Sequence, residues 1–121
     1  MATDYRDTVR DLLAAVDSYD LDTYVTFFAD DAEYKVGNTD PVVGPQGIRE
    51  FVAFITPVIK SVTHEIKNIW GVGDTVICEA DVIYNRHDGK VFRVPNVNII
   101  RFQGDKIRKF QAFIDASEVF A

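Results

Sequence analysis

The residues of this chain that could do chemistry are few, and most of them are neutral. There are two histidines, His64 and His87, and one cysteine, Cys78. An unperturbed imidazole titrates near pH ~6.5, which suits a general base at neutral pH. The pattern derived below sets His64 among Asn68, Asn96 and Asn98, the phenols of Tyr34 and Tyr84, and the indole of Trp70. Such groups donate hydrogen bonds without carrying charge. Beside a histidine they suit proton transfer on a carbonyl or hydroxy compound, with His64 moving the proton and Tyr34 and Asn98 holding the developing oxyanion. Each residue also has a plainer reading. A histidine on an apolar face can be bonded to a core neighbour, asparagines can pair across strands, and inward aromatics are often core. His87, beside Asp88 and Gly89, reads as a turn residue in solvent.

The elements that must position these groups can be read from periodicity. Val9, Leu12, Leu13 and Val16 recur at helical spacing and predict a helix over about residues 3–18, with Asp4, Asp7 and Asp11 toward its positive end. Asp20 predicts an N-cap for a second helix over 21–29. Residues 32–36 alternate and predict a short strand, and 37–47 carry loop chemistry. A third helix is predicted over 45–59, with Pro45 in its first turn and Pro57 ending or kinking it. Four strands follow, over 62–70, 75–85, 91–102 and 106–115, separated by compact turns at 71–74, 86–89 and 103–106. Three helices followed by a long antiparallel meander predict an α+β fold, the helices covering one face of a strongly curved sheet.

Alternation then sorts the two faces. Glu65, Lys67, Glu79, Asp81, Arg93, Arg101, Lys109 and Gln111 are assigned outward, with a bulge expected near Pro95. The inward set is His64, Ile66, Asn68 and Trp70; Cys78, Ala80, Val82 and Tyr84; Asn96, Asn98, Ile100 and Phe102; Phe110, Ala112 and Ile114; and Ala32, Tyr34 and Val36. Polar groups buried without partners cost about 1–3 kcal/mol each, so several on one apolar face predict a mutual network or a cavity. Apolar walls with a few convergent polar groups describe a small-molecule pocket. Its expected lining is Val36, Phe54, Trp70, Ile100, Phe110 and Ala112, with Asn68, Tyr84 and Asn96, and Asn38 in a lid loop over 37–44.

Composition narrows the partners. The chain has 121 residues, 47% of them hydrophobic and 26% charged, which is globular usage at single-domain length. The net charge of −6, with no basic run, argues against nucleic acid. One cysteine allows no internal disulfide. The first seven residues carry charges where a signal peptide needs an apolar core, and no apolar run reaches the ~18 residues of a membrane span. The expectation is a cytoplasmic domain with no membrane partner. His64 and His87 lie on different elements with no acid at helical spacing, so no metal is expected. Gly44-Pro-Gln-Gly47 lacks the lysine and spacing of phosphate loops, and no cofactor is expected.

The order of elements, with Asp20-Leu-Asp22, Phe27-Phe-Ala-Asp-Asp-Ala32, Gly44-Pro-Gln-Gly-Ile-Arg-Glu-Phe51, Asp88-Gly89 and Phe102-Gln-Gly-Asp-Lys-Ile107, resembles the nuclear transport factor two-like superfamily. Within it, the chain resembles the SnoaL-like group named for polyketide cyclases. The resemblance implies a conical α+β barrel whose mouth holds a pocket for a small, often apolar ligand, and a homodimer. Similar members include ketosteroid isomerases, limonene epoxide hydrolases and scytalone dehydratases. Their residues carry over mainly as differences. Where ketosteroid isomerases place a base aspartate, a helix tyrosine and an oxyanion-hole aspartate, this chain has Val36, Leu12 and Asn98. Where epoxide hydrolases place an arginine and two aspartates, it has Ala80, Val82 and Ala112. The histidine, tyrosine and asparagine types of scytalone dehydratases are supplied by His64, Tyr34 and the asparagines. The resulting expectation is a cofactor-independent lyase, isomerase or cyclase acting on a hydrophobic carbonyl or hydroxy compound. The alternative, favoured by the missing aspartates, is a non-catalytic ligand-binding or assembly module of the same fold.

Overall fold

A computed structural model describes residues 4–121; residue 3, the expected start of the first helix, lies outside them. Helix α1 (Tyr5–Asp17) is capped by Asp4, whose carboxylate accepts from the Arg6 backbone N–H at 3.0 Å. Helix α2 (Leu21–Thr26) is capped by Asp20, which accepts from the Thr23 N–H at 3.2 Å. It is shorter than the predicted 21–29. Phe28 leaves the helix because its backbone pairs with Ile107 and its ring packs edge-on against Tyr24 and Tyr34. Strand β1 (Phe28–Val36) therefore starts four residues before the predicted position. A two-residue strand, β2 (Val42–Val43), pairs with it inside the expected loop.

Helix α3 (Gly44–Ala53) also stops early, well short of the predicted residue 59. Pro57 disfavours helical geometry at the residue before it, and 54–58 form turns. Strand β3 (Ile59–Val72) takes up the chain from there, followed by β4 (Thr75–Arg86), β5 (Val91–Gln103) and β6 (Lys106–Ile114). The sheet order is β2-β1-β6-β5-β4-β3, antiparallel except for β1 beside β6. The sheet curves around the helices and stays open, with β2 and β3 at its edges. The core between sheet and helices includes Val9, Leu12 and Leu13 of α1, Ile48 and Val52 of α3, and Cys78, Ile100, Phe102 and Ile107 of the sheet. No helix among the described residues is long and apolar enough to cross a membrane.

Gly44 seats α3 against β1. Its φ is +80°, and a Cβ there would lie 2.7 Å from the Asp30 carbonyl oxygen. A left-handed non-glycine residue alone costs about 1–3 kcal/mol. Gly44→Ala is expected to destabilise the fold by about 2 kcal/mol or more. Urea unfolding measures it; an unchanged midpoint would mean that α3 starts elsewhere.

The strand phases depart from simple alternation at one decisive place. Ile66 opposes Ala80, but Asn68 opposes Glu79, so β3 holds one extra residue, Lys67. Such a bulge moves everything after it to the other face. The expected slip near Pro95 does not occur: Val94, Pro95 and Asn96 oppose Val82, Asp81 and Ala80 in unbroken register. On the outer face Arg93 reaches Glu65 at 3.2 Å and Asp81 at 3.1 Å, while Lys67 reaches Asp81 at 3.2 Å. The Arg93 hydrogen bond is the main cause holding the Asp81 carboxyl below its ordinary range.

Candidate active site

A cavity of about 900 Å³ opens between the helices and the concave face of the sheet. His64, Tyr34, Asn98, Asn96, Val36, Tyr84, Phe110 and Ala112 all line it, and Phe54 stands at its rim, 84% exposed. Four other predicted residues are placed elsewhere. Asn68 lies beyond the bulge on the outer face, where its amide donates to Glu79 at 2.8 Å. Trp70 shares that changed phase and is half-exposed. Ile100 is inward but sealed into the core. Asn38 is exposed in the turn after β1, while the next residue, Thr39, lines the cavity.

The polar centre of the cavity includes a residue absent from the sequence expectation, Asp17. Its Oδ2 accepts from the His64 backbone N–H at 2.8 Å, and its Oδ1 lies 2.6 Å from His64 Nδ1. Two bonds to one carboxylate fix both the strand and the ring. With Nδ1–H donated to Asp17, Nε2 is the ring nitrogen left to accept a proton. Both side chains are mostly withdrawn from solvent, 13% exposed for His64 and 21% for Asp17. The signal for Asp17 is its spacing: Val9, Leu13 and Asp17 stand four apart, so the last turn of α1 carries a carboxylate on its buried stripe.

Two neutral pairs complete the centre. Tyr24 and Tyr34 share a hydroxyl–hydroxyl bond of 2.9 Å in the interior. Tyr34 stacks on Phe110 with centroids 4.7 Å apart and meets Phe51 edge-on. Burial pushes the Tyr34 and Tyr84 phenols up to about 12 and raises Tyr24 well above its ordinary value, so all three stay protonated at neutral pH. Asn96 and Asn98 stand two apart on β5, and the Asn96 amide donates to Asn98 Oδ1 at 3.1 Å. Burial likewise raises the Cys78 thiol to about 11, and the group lies in the core.

The rim is tied down by the turn after β4. His87 belongs to this structure and is not a freely solvated turn residue. Its Nε2 donates to the Thr56 carbonyl at 2.8 Å and its backbone N–H to the Val58 carbonyl at 3.1 Å. The neighbouring Arg86 donates to the Val119 carbonyl at 2.8 Å. One turn thus holds both the 54–58 segment and the chain end bearing Phe120, each of which lines the cavity.

Residues 9–110 match the family model described as the SnoaL-like domain. No curated protein matches the sequence. Among solved structures, the chain is similar to a hypothetical protein with a ketosteroid isomerase-like fold from Catenulispora acidiphila, described in complex with trimethylamine. The two are 25% identical, with a TM-score of 0.84 over 92% of this chain and 87% of that one. It is also similar to an uncharacterised cystatin-fold protein from Novosphingobium aromaticivorans, at 28% identity and a TM-score of 0.78, covering 93% and 99% of the two chains. An epoxide hydrolase of the LEH-like type from M. tuberculosis superposes with a TM-score of 0.81 at 16% identity, covering 95% and 85%; that likeness is one of fold.

Proposed function

This chain belongs to the SnoaL-like domain family, and on that footing we propose that it is a cofactor-independent lyase, isomerase or cyclase acting on a hydrophobic carbonyl or hydroxy compound. The observation that carries the reading is the Asp17–His64 pair at the wall of a largely apolar cavity. A base oriented by a second group, facing space that apolar side chains keep dry, is the arrangement proton abstraction needs.

The steps follow from this chain's own groups. Asp17 holds the Nδ1 proton, and Nε2 of His64 takes a proton from the carbon beside the substrate carbonyl. Asp17 then faces an imidazolium and stabilises its charge. The charge developing on the carbonyl oxygen is met by the Tyr34 hydroxyl and the Asn98 amide, both neutral and already in place. Tyr34 is free to donate when Tyr24 supplies the proton of their shared bond. His64 returns its proton to a leaving hydroxyl in a lyase, or to another carbon in an isomerase; in a cyclase the enolate carbon attacks a second carbonyl carbon, and His64 gives its proton to the alkoxide that forms.

The test needs no known substrate. The protein is incubated in heavy water with 1-indanone, 1-tetralone or 4-chromanone, and α-deuteration is followed by proton NMR. Exchange above buffer that depends on His64 supports the reading. Binding of these ketones with no exchange in any of them would favour the non-catalytic module instead. A homodimer packed through the outer sheet face, where Phe113 is half-exposed, belongs to the same proposal. Sedimentation at several salt concentrations checks it, and a monomer throughout removes it.

A further inference from the structure

Asn96 and Asn98 are 5% and 1% exposed on an interior strand, where asparagine is depleted. Their mutual bond uses one donor and one acceptor. Asn96 Oδ1 and Asn98 Nδ2 remain, buried and without any partner among the described residues. The strands on either side supply none. Asn96 lies between Ala80 and Ile114, and Asn98 between Cys78 and Ala112. Exchanging the oxygen and nitrogen of both amides changes nothing essential, since one donor and one acceptor are still left over. Buried polar atoms without partners are rare, and each calls for a cause. Here both residues border the cavity.

We infer that the Asn96–Asn98 pair is a recognition subsite for a neutral ligand group that donates and accepts at once, a hydroxyl. A hydroxyl accepts from the Asn98 amide and donates to the Asn96 carbonyl, so both orphaned atoms are satisfied. A ketone or an ether only accepts and leaves Asn96 Oδ1 stranded. An ammonium only donates and leaves Asn98 Nδ2 stranded. This inference rests on the function proposed above and narrows it. Within the compound class proposed there, the pair selects members that carry a hydroxyl over ketones or ethers that lack one.

The experiment compares 2-naphthol with its methyl ether, 2-methoxynaphthalene, by calorimetric titration of the whole chain at neutral pH. Wild type is expected to bind the naphthol about 10–100-fold more tightly, the range set by one stranded polar group. In the double variant Asn96→Leu, Asn98→Leu the preference should shrink to about twofold, and the melting temperature should hold or rise, because both polar groups leave together. In His64→Ala the preference should persist. The wild-type ranking and the His64→Ala arm stand even if the double variant does not fold. Equal affinities in wild type would overturn the inference, as would a preference lost in His64→Ala and kept in the double variant. No arm depends on turnover, so absence of deuterium exchange would end the proposed reaction and leave this subsite standing.

Discussion

Replacing His64 by alanine should lower enzyme-catalysed α-deuteration of a bound ketone by about 10²–10⁴-fold, the range for a lost general base. The ring presents a free nitrogen to the cavity in an orientation that Asp17 fixes. Asp17→Asn should approach the same loss by another route. An asparagine oxygen can still accept from the His64 backbone N–H, but its NH2 would then face Nδ1. That favours the tautomer with the proton on Nε2, where it blocks abstraction. Asp17 is thus a positioning residue, and its signature is a fall in rate with ketone affinity kept. Loss of affinity to the same degree as rate would mean that Asp17 only holds the fold together. An unchanged rate in His64→Ala would remove the histidine from the mechanism.

The second large effect is alkaline instability. Tyr34 and Tyr84 have phenols raised from 10.0 to about 12 by burial. A raised value means that the folded state favours the protonated form. The stability so gained is fully present below pH 10 and is lost as pH climbs toward 12. Two units correspond to about 3 kcal/mol for each group. Together that is comparable to the ~5–15 kcal/mol stability of a typical domain. Unfolding and the phenolate absorbance of these buried tyrosines should therefore appear together and cooperatively above pH 10. Tyr84 makes no hydrogen bond through its hydroxyl among the described residues, so Tyr84→Phe should cost little at neutral pH and move the alkaline midpoint upward. Ionisation of Tyr34 and Tyr84 themselves near pH 10 with the fold intact, seen as absorbance lost in their phenylalanine variants, would mean that water reaches these hydroxyls.

The fold was legible in the sequence because its signals are local and repeated. The stripe of Val9, Leu12, Leu13 and Val16, the cap at Asp20 and the three turns between long strands each report their own element. Tyr34, Asn96, Asn98, Phe110 and Ala112 reach the concave face because β1, β5 and β6 keep strict alternation there. Asn68 and Trp70 do not, because alternation cannot register one inserted residue, and nothing in the sequence around Lys67 announces a bulge. Helix ends depart from the periodicity where tertiary contacts decide: Phe28 is drawn into the sheet by its aromatic neighbours. Asp17 is not legible in the sequence because an acid at the end of a helix reads as solvated, and its partner lies 47 residues away. The role of His87 depends on the 54–58 turns, which the sequence presents as helix.

Strand β3 ends the sheet with 14 residues and one unpaired edge. Such a border invites a strand from another molecule to add to it, the first step of aggregation. Its pairing with β4 skips once between Ile59 and Ser61 and once between Ile66 and Asn68, so the extra residues are Lys60 and Lys67. Each insertion breaks the regular run of the edge strand. An incoming strand would find broken register, and the His64 amide already bonded to Asp17, where it needs a straight run of free amides. The irregularity that separates His64 inside from Asn68 outside thus also protects the molecule's most vulnerable border against fibrillar stacking.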